Sequence, residues 1–440
     1  MKIVKIALFW LLHIVLVVLS LLLAVVLGTV YWFIWLLNLP FKQSQSQVQA
    51  ELPEPDDLSS EISLETLLGS GAPRKIDGVF EGGGVKALAQ IGAIQAIERL
   101  QLDWSKVGGT SGGAIMAAVL AAGKGSQEMW DILTKVGLHR FVDVWYLPEV
   151  EFLQKRLYFY APLLAHLVFT KGLVSGRVFL ETMRGILLRG GQELRFRDLL
   201  DSDWSPGSYA SRHSLQMVAT DISRGTPIVL PDDVPAYWEA WERKTLPPNA
   251  VDPLKKEDAQ DWWSVADAVR MSMSIPFFFK PVKLHLNVEK DGRTVKTDGR
   301  GQKGQPVLIV DGGPSSNFPI WLFDRLDKVP EWPTFGFLLD ETKGIPAQHA
   351  RITGLLIDLA VSLISTGMGA RDKRLSLHDA YRTARLSTRF QTKAGTKEVK
   401  TTDFGLSPEE QAALVRSGFL NTVDFLKGFN WIDYLEQFRK

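Results

Sequence analysis

The chain of 440 residues contains no cysteine, which excludes disulfides, thiolate metal sites and cysteine nucleophiles. Its seven histidines are scattered without the short spacings that build a zinc site, so we expect no metal and no other cofactor. An excess of one charge is also missing. Fifty Lys and Arg face 49 Asp and Glu, a formal net charge of +1, and this balance argues against a nucleic-acid partner. Covalent chemistry must therefore use a hydroxyl or a carboxylate.

A long apolar run occupies the N-terminus. Residues 6–39 are almost wholly apolar, and aromatic residues flank the purest stretch at both ends, as they do at membrane interfaces. At a rise of about 1.5 Å per residue, residues 11–30 match a hydrocarbon core about 30 Å thick. We predict a single-pass transmembrane helix within residues 1–41, with a buried helix of a soluble domain or a re-entrant hairpin as alternatives. Two lysines before the span and one soon after it favour a cytoplasmic N-terminus.

The rest of the chain divides into three predicted regions. Residues 42–73 are rich in Gln, Ser, Glu, Asp and Pro, a composition typical of a flexible linker. Residues 74–345 form the predicted catalytic domain, and residues 346–440 a helical extension packed on it. An aromatic segment at 139–169 is either a buried helix pair or a face that contacts the bilayer.

Within the predicted catalytic domain, short apolar runs alternate with helical patterns. Strand, helix, strand and helix in succession indicate an α/β fold with a mainly parallel central sheet covered on both faces. The predicted strands are 76–80, 106–108, 215–219, 226–230, 307–310 and 335–339, and the first two helices are 85–100 and 114–122. In such a sheet, ligands bind beyond the carboxyl ends of the strands.

A GxSxG motif spans residues 109–113, directly after a predicted strand and directly before a predicted helix. This is the setting of a nucleophile elbow, in which a tight turn presents the hydroxyl of Ser111. The N-terminus of the helix that follows the motif favours developing negative charge. Such a motif also arises by chance in glycine-rich turns. The interpretation as a nucleophile elbow therefore depends on the predicted strand and helix on either side of it.

A second glycine-rich turn, Gly82-Gly83-Gly84, follows the first predicted strand, with Lys86 two residues later. Its unhindered N–H groups are suited to bind an oxyanion. The same turn fits the dinucleotide fingerprint GxGxxA, which makes an NAD(P)-binding oxidoreductase the rival interpretation. A hydrolase explains both glycine turns, whereas a dinucleotide enzyme leaves Ser111 without a role.

Asp311 follows another predicted strand and precedes two glycines. Aspartate in this position often serves only to form a turn. However, no histidine lies in a comparable strand-end position, and serine requires a base to become a nucleophile. A carboxylate acts as that base when desolvation raises its proton affinity. Asp311 is the best candidate.

Together these motifs resemble the patatin-like phospholipases, which place a glycine-rich oxyanion loop, a GxSxG serine and an Asp-Gly-Gly base in this order. The resemblance covers roughly residues 74–425 and includes the stretches 219–221, 271–276, 316–319 and 402–404. Ala87 departs from the pattern, because many members carry glycine there. Alanine is small, and we expect it to be tolerated.

The resemblance implies a three-layer α/β/α domain and a lipid acyl hydrolase with a Ser111–Asp311 dyad. It also implies an oxyanion hole drawn from Gly82, Gly83, Gly84 and Gly112, without a metal. Membrane lipids are then the expected substrate, and Lys86 is a candidate contact for a lipid phosphate. The expected location at the bilayer follows from the predicted transmembrane helix, which lies outside the resemblance. A membrane-tethered scaffold without turnover is the remaining alternative. No feature of the sequence indicates an oligomeric state.

Overall fold

The protein is described here by a computed structural model that covers residues 52, 62–71, 73–136, 172–205, 211–240, 259–284, 286–290, 293–297, 307–325, 328–340, 379–392, 395–399 and 405–437. The helices in these ranges are α1 (Leu64–Leu68), α2 (Leu88–Arg99), α3 (Gly112–Ala121), α4 (Ser126–Val136), α5 (Arg177–Ile186), α6 (Ala259–Trp262), α7 (Val265–Ser272), α8 (Pro408–Gly428) and α9 (Trp431–Glu436). The strands are β1 (Lys75–Phe80), β2 (Asp103–Thr110), β3 (Gly172–Val174), β4 (Leu188–Arg189), β5 (Gln192–Glu193), β6 (Leu215–Asp221), β7 (Thr226–Leu230), β8 (Phe277–Phe279), β9 (Val282–Leu284), β10 (Leu286–Lys290), β11 (Arg293–Thr297), β12 (Val307–Asp311), β13 (Thr334–Asp340), β14 (Thr383–Ser387), β15 (Arg389–Thr392) and β16 (Gly395–Glu398).

The central sheet has eight strands and is mainly parallel. Its order is β14-β13-β1-β2-β6-β12-β9, with β7 paired to β6. The pairs from β14 through β6 are all parallel, whereas β7 and β12 run antiparallel to β6. Every residue of β6 is buried, as expected for a strand at the centre of an α/β sheet.

Two strands share one edge of β6 and run towards each other. Thr110 at the end of β2 pairs with Val218, and Asp311 at the end of β12 pairs with the next residue, Ala219. Because β7 pairs with both Val218 and Ala219 from the other side, β2 and β12 must lie on the same edge. Their carboxyl ends therefore meet in the middle of the sheet.

Helices α2 and α8 pack against each other at very short range. A Cβ atom added to Gly92 in α2 would lie 1.9 Å from the carbonyl oxygen of Val415, and one added to Gly418 in α8 would lie 1.8 Å from that of Ala89. The close approach is possible only because both positions lack side chains. Helix α8 begins with a capping box, in which Ser407 and Glu410 exchange hydrogen bonds between side chain and backbone.

Most sequence predictions within the described ranges are confirmed. All six predicted strands are present as β1, β2, β6, β7, β12 and β13, each within a few residues of the expected bounds. The helix predicted at 85–100 begins with a 3-10 turn, Gly84–Ala87, before continuing as α2. The helix predicted at 114–122 is α3.

The region after residue 346 contains strands as well as helices. β14 forms the edge of the central sheet beside β13, and β15 with β16 makes a hairpin. The description of residues 346–440 as a helical extension is therefore incomplete. The hydrophobic pattern of the sequence did not predict these strands, because apolar and polar residues alternate only weakly in β14 and its Arg385 is exposed.

Some predictions lie outside the described residues, namely the transmembrane helix at 11–30, most of the linker at 42–73 and the aromatic segment at 139–169. The described end of that linker differs from the prediction, because it forms α1, in which Leu67 and Leu68 are buried. Among the helices that the structure does describe, none combines the length and apolar character needed to cross a bilayer.

The contact between α2 and α8 predicts a strong size limit at Gly418. Replacing Gly418 with Ala forces its methyl group onto the Ala89 backbone, and we expect a loss of about 1–3 kcal/mol in the free energy of unfolding. Gly185 is the matched control, because it is an exposed helical glycine with no atom within 4 Å of an added Cβ. Gly185→Ala should be neutral or stabilising by up to about 1 kcal/mol. Urea unfolding measures both, and equal stabilities would contradict this packing.

Candidate functional site

Ser111 lies in a strained turn between β2 and α3. Its backbone angles are φ 54 and ψ −122, a region that residues with side chains rarely adopt. The Ser111 N–H donates to the Ser272 hydroxyl at 3.0 Å, and this hydroxyl donates in turn to the Val218 carbonyl at 2.6 Å. The turn has the geometry of a nucleophile elbow, and α7 helps to hold it in place through Ser272.

The glycines around Ser111 are required by close approach of the backbone. A Cβ on Gly113 would lie 2.2 Å from the Phe80 carbonyl oxygen, and one on Gly109 would lie 2.7 Å from the same atom. The elbow therefore rests directly on the end of β1. This contact explains why the GxSxG spacing and the glycine loop after β1 occur together.

The Asp311 carboxyl is buried beside this turn. Its backbone N–H donates to the Ser274 carbonyl at 2.9 Å, and its Oδ1 accepts the Gly313 N–H at 2.8 Å. Asp311 is only 6% exposed, and its Oδ2 has no hydrogen-bond partner among the described residues. Burial raises the pKa of Asp311 to about 6, with hydrogen bonds from Ser111 and Gly313 opposing the rise.

Ser111 and Asp311 lie together, as the sequence predicted. The Ser111 hydroxyl is close enough to lower the pKa of Asp311 as a hydrogen-bond donor. In the conformation described, however, that hydroxyl is directed at Met273 Sδ, 3.3 Å away, which agrees with the unpartnered Asp311 Oδ2. Thioether sulfur is a weak acceptor, so rotation of Ser111 about its Cα–Cβ bond towards the carboxyl has a low cost.

The glycine loop approaches the elbow from the end of β1. Gly84 adopts φ +54, and a Cβ on Gly112 would lie 3.2 Å from the Gly84 nitrogen. The Gly82 N–H is already used, because it donates to the Asn317 carbonyl at 3.0 Å. Gly82 is therefore not an available oxyanion donor, contrary to the expectation. The N–H groups of Gly83, Gly84 and Gly112 donate to no acceptor within the described part of the chain.

Asn317 and Glu81 hold this loop. Asn317 Nδ2 donates to the Gly82 carbonyl at 2.9 Å and to Glu81 Oε1 at 3.0 Å, while Glu81 Oε2 accepts the Leu339 N–H at 2.6 Å. Sequence reasoning assigned no role to these side chains or to Ser272. The stretches 271–276 and 316–319 were noticed only as part of the resemblance, since a polar residue in a loop gives no pattern of its own.

Lys86 is buried rather than exposed on a surface. Only 5% of it is accessible, and burial lowers its pKa while Glu81 and Glu398 favour its charged form. It lies in the 3-10 turn between the glycine loop and α2. Contact between Lys86 and a lipid phosphate stays a prediction, and this burial gives it little support.

The described residues offer no alternative base or metal ligand set at this site. His213 is fully buried just before β6, at the end of that strand away from Ser111, and its Nε2 lies 2.8 Å from Asp261 Oδ1. Burial tends to lower the pKa of His213, but its interactions with Asp232 and Asp261 raise it overall. No group of three or more potential metal ligands occurs in the ranges that the structure describes.

Comparisons with known proteins relate this chain to one protein family. The family profile described as "Patatin-like phospholipase" matches residues 78–324. The chain is 31% identical over 360 residues to the uncharacterized protein YqhO of Bacillus subtilis, covering 81% of this chain and 99% of YqhO. It is 30% identical over 200 residues to the RpoH suppressor of Rhizobium meliloti, covering 34% of this chain and 31% of that one. The crystal structure of VipD from Legionella pneumophila aligns with a TM-score of 0.37 at 17% identity, over 83% of this chain and 69% of VipD.

The profile match spans the glycine loop, Ser111 and Asp311, and the likeness to YqhO extends over nearly the whole of that protein. The chain therefore belongs to the patatin-like phospholipase family.

Proposed function

We propose that the protein is a serine acyl hydrolase that cleaves carboxylic ester bonds of membrane lipids through a Ser111–Asp311 dyad. The observation that supports the proposal is the buried Asp311 carboxyl, whose Oδ2 has no partner among the described residues, while the Ser111 hydroxyl lies close enough to the carboxyl to lower its pKa. An unpartnered buried carboxylate oxygen costs free energy, and such a cost persists where function requires it. Membership of the family supports lipid ester hydrolysis in general.

In the first step, the Ser111 hydroxyl rotates from Met273 towards Asp311 and attacks the ester carbonyl carbon. Asp311 accepts the hydroxyl proton as the bond from Oγ to carbon forms. Because burial raises the pKa of Asp311 to about 6, the carboxylate is a stronger base than an exposed aspartate and is still ionised at neutral pH.

The negative charge that develops on the carbonyl oxygen needs fixed donors. We assign this role to the N–H groups of Gly83, Gly84 and Gly112, because they donate to no acceptor among the described residues and Gly84 lies against Gly112 at the start of α3. The N-terminus of α3 adds a favourable dipole. A single donor of this kind is worth about 10² to 10³ in rate.

Collapse of the tetrahedral intermediate breaks the ester bond, and Asp311 returns its proton to the leaving alcohol. Water then attacks the acyl-serine with Asp311 again accepting a proton, which passes back to Ser111 as the fatty acid leaves. One carboxyl group thus serves both half-reactions.

Membrane association is a separate part of the proposal and rests on the sequence. The apolar run at residues 11–30 would place the enzyme at the bilayer that supplies its substrate. The dinucleotide interpretation of the glycine loop is not carried further, because the family match accounts for that loop together with Ser111 and Asp311.

Replacement of Ser111 tests the nucleophile and the scaffold alternative together. Ser111→Ala should lower kcat for a p-nitrophenyl ester at least about a thousandfold, because the attacking atom is lost. Ser417→Ala is the matched control, since Ser417 lies on α8 and, among the described residues, its hydroxyl bonds to the Ser387 carbonyl and to Asn421 Oδ1. It should retain full activity. Unchanged turnover in Ser111→Ala would remove Ser111 from the mechanism, and a folded wild type without turnover on esters would favour the scaffold.

The raised pKa of Asp311 predicts an acid limb in the pH profile. Only the ionised carboxylate accepts a proton, so kcat/KM should fall about tenfold per pH unit below pH 6 and stay level above it. Ester hydrolysis measured from pH 4.5 to 8 gives the profile. A limb near pH 4, where an exposed aspartate titrates, would contradict a buried base.

The burial of Asp311 also predicts that the ionised carboxylate required for activity lowers the free energy of unfolding. Because the folded pKa of Asp311 is raised, the stability associated with this group is present at low pH and lost as the pH rises through about 6. Asp311→Asn keeps the shape and the bond from Gly313 but carries no charge. It should be inactive and on the order of 1–3 kcal/mol more stable than wild type at pH 8, with the difference shrinking towards pH 4.5. Chemical denaturation at the two pH values measures this, and a less stable variant at pH 8 would contradict the account.

A further inference from the structure

Three consecutive residues at the end of α7 contact both members of the proposed dyad. The Ser272 hydroxyl accepts the Ser111 N–H at 3.0 Å, and Met273 Sδ lies 3.3 Å from the Ser111 hydroxyl. The Ser274 carbonyl accepts the Asp311 N–H at 2.9 Å. One short stretch of chain, residues 272–274, thus holds the elbow and the proposed base, so a movement of that stretch displaces both.

A buried arginine one turn earlier fixes this stretch. Arg270 lies in the last turn of α7 and is only 6% exposed. Its Nη1 donates to the Ser274 hydroxyl, which donates in turn to the Arg270 carbonyl at 2.8 Å. Two hydrogen bonds therefore join Arg270 to Ser274, the residue whose carbonyl holds Asp311.

The other end of the guanidinium binds a second structural unit. β3 and β8 form a separate two-stranded parallel sheet. Arg270 Nη2 donates to the carbonyls of Ser175 at 3.0 Å and Lys280 at 2.9 Å, the residues that directly follow these strands. The guanidinium also lies over the Phe279 ring, 4.8 Å from its centroid. The space around it is tight, because a Cβ on Gly176 would lie 2.2 Å from Arg270 Nε.

From these contacts we infer that Arg270 is a positioning residue for the proposed Ser111–Asp311 dyad, because it ties residues 272–274 to the ends of β3 and β8. The inference rests on the proposed function and adds a residue that acts through Ser274. A guanidinium suits this role, since its planar fork presents N–H donors in fixed directions and hydrogen bonds from a charged donor are stronger than neutral ones. Lysine is a point charge on a flexible stem and cannot hold all three acceptors in that geometry.

The first test is Arg270→Lys, which keeps the positive charge and removes the fork. In full-length, detergent-solubilised protein, kcat for a p-nitrophenyl ester should fall at least about tenfold while KM stays within about threefold, because the dyad is displaced and the substrate contacts remain. The rate is taken per serine labelled by a fluorophosphonate probe, so that misfolded protein is not counted. Arg184→Lys is the matched control and should keep kcat within about twofold. Arg184 on α5 also reaches α7, through Asp267 at 3.2 Å.

The pH profile distinguishes positioning from a loss of folded protein. Burial raises the pKa of Asp311 to about 6, opposed by hydrogen bonds from Ser111 and Gly313. When residues 272–274 loosen, water reaches the carboxyl and its pKa falls towards the ordinary value. The acid limb of kcat/KM in Arg270→Lys should therefore move from near pH 6 towards about pH 4. A purely structural role for Arg270 would leave the limb in place.

A second variant displaces Arg270 without replacing it. In Gly176→Ala the new methyl group would lie 2.2 Å from Arg270 Nε, and a backbone φ of +70 is strained for alanine. Gly225→Ala is the matched control, because Gly225 has φ +71 and none of the described atoms lies within 4 Å of an added Cβ. The backbone strain is the same, and the clash is present only at Gly176. We expect kcat per labelled serine to fall at least about fivefold in Gly176→Ala and to stay within about twofold in Gly225→Ala.

The possible results separate this inference from the proposed function. Wild-type kcat with an unmoved acid limb in Arg270→Lys would overturn the inference, as would a rise in KM at unchanged kcat, which indicates contact with substrate. If Arg270→Lys does not fold, the pair Gly176→Ala and Gly225→Ala decides, and equal kcat values in that pair would overturn the inference. A folded wild type that does not hydrolyse esters would overturn the proposed function itself, whereas an active wild type with unaffected variants would count against Arg270 alone.

Discussion

The proposed chemistry depends on two strands that end against each other on one edge of β6. β2 and β12 run in opposite directions, and their last residues pair with Val218 and Ala219, which are neighbours in the chain. This arrangement places residues 111 and 311 together although two hundred positions separate them. The hydrogen bonds of β6 to both strands bring residues 111 and 311 together, so the sheet itself positions the two residues of the proposed dyad.

Around that junction, the structure holds groups in unfavourable states. Ser111 has a strained backbone, and Asp311 is buried with one unpartnered oxygen. Both costs are offset by neighbours, since Ser272 fixes the elbow while Ser274 and Gly313 fix the aspartate. In the proposed reaction, a serine and a carboxyl restrained in this way need little reorganisation beyond rotation of the Ser111 hydroxyl from Met273 towards Asp311.

The sequence predicted the strands of the sheet, and it singled out the two residues of the proposed dyad because each follows a short apolar run and precedes glycines. It could not predict that β12 runs antiparallel or that β14 joins the sheet, since strand pairing is set by contacts distant in sequence. It also placed Gly82 among the oxyanion donors, whereas Asn317 occupies that N–H. The supporting residues Ser272, Asn317 and Glu81 act through single hydrogen bonds and leave no periodic signal.

The most direct measurement of the central claim is mass spectrometry of the protein after reaction with a fluorophosphonate probe. The account predicts a single modified peptide that carries the label on Ser111, with labelling strongly slowed in Asp311→Asn because the hydroxyl has lost its base. Labelling of another serine, or labelling of Ser111 at the same rate without Asp311, would contradict it.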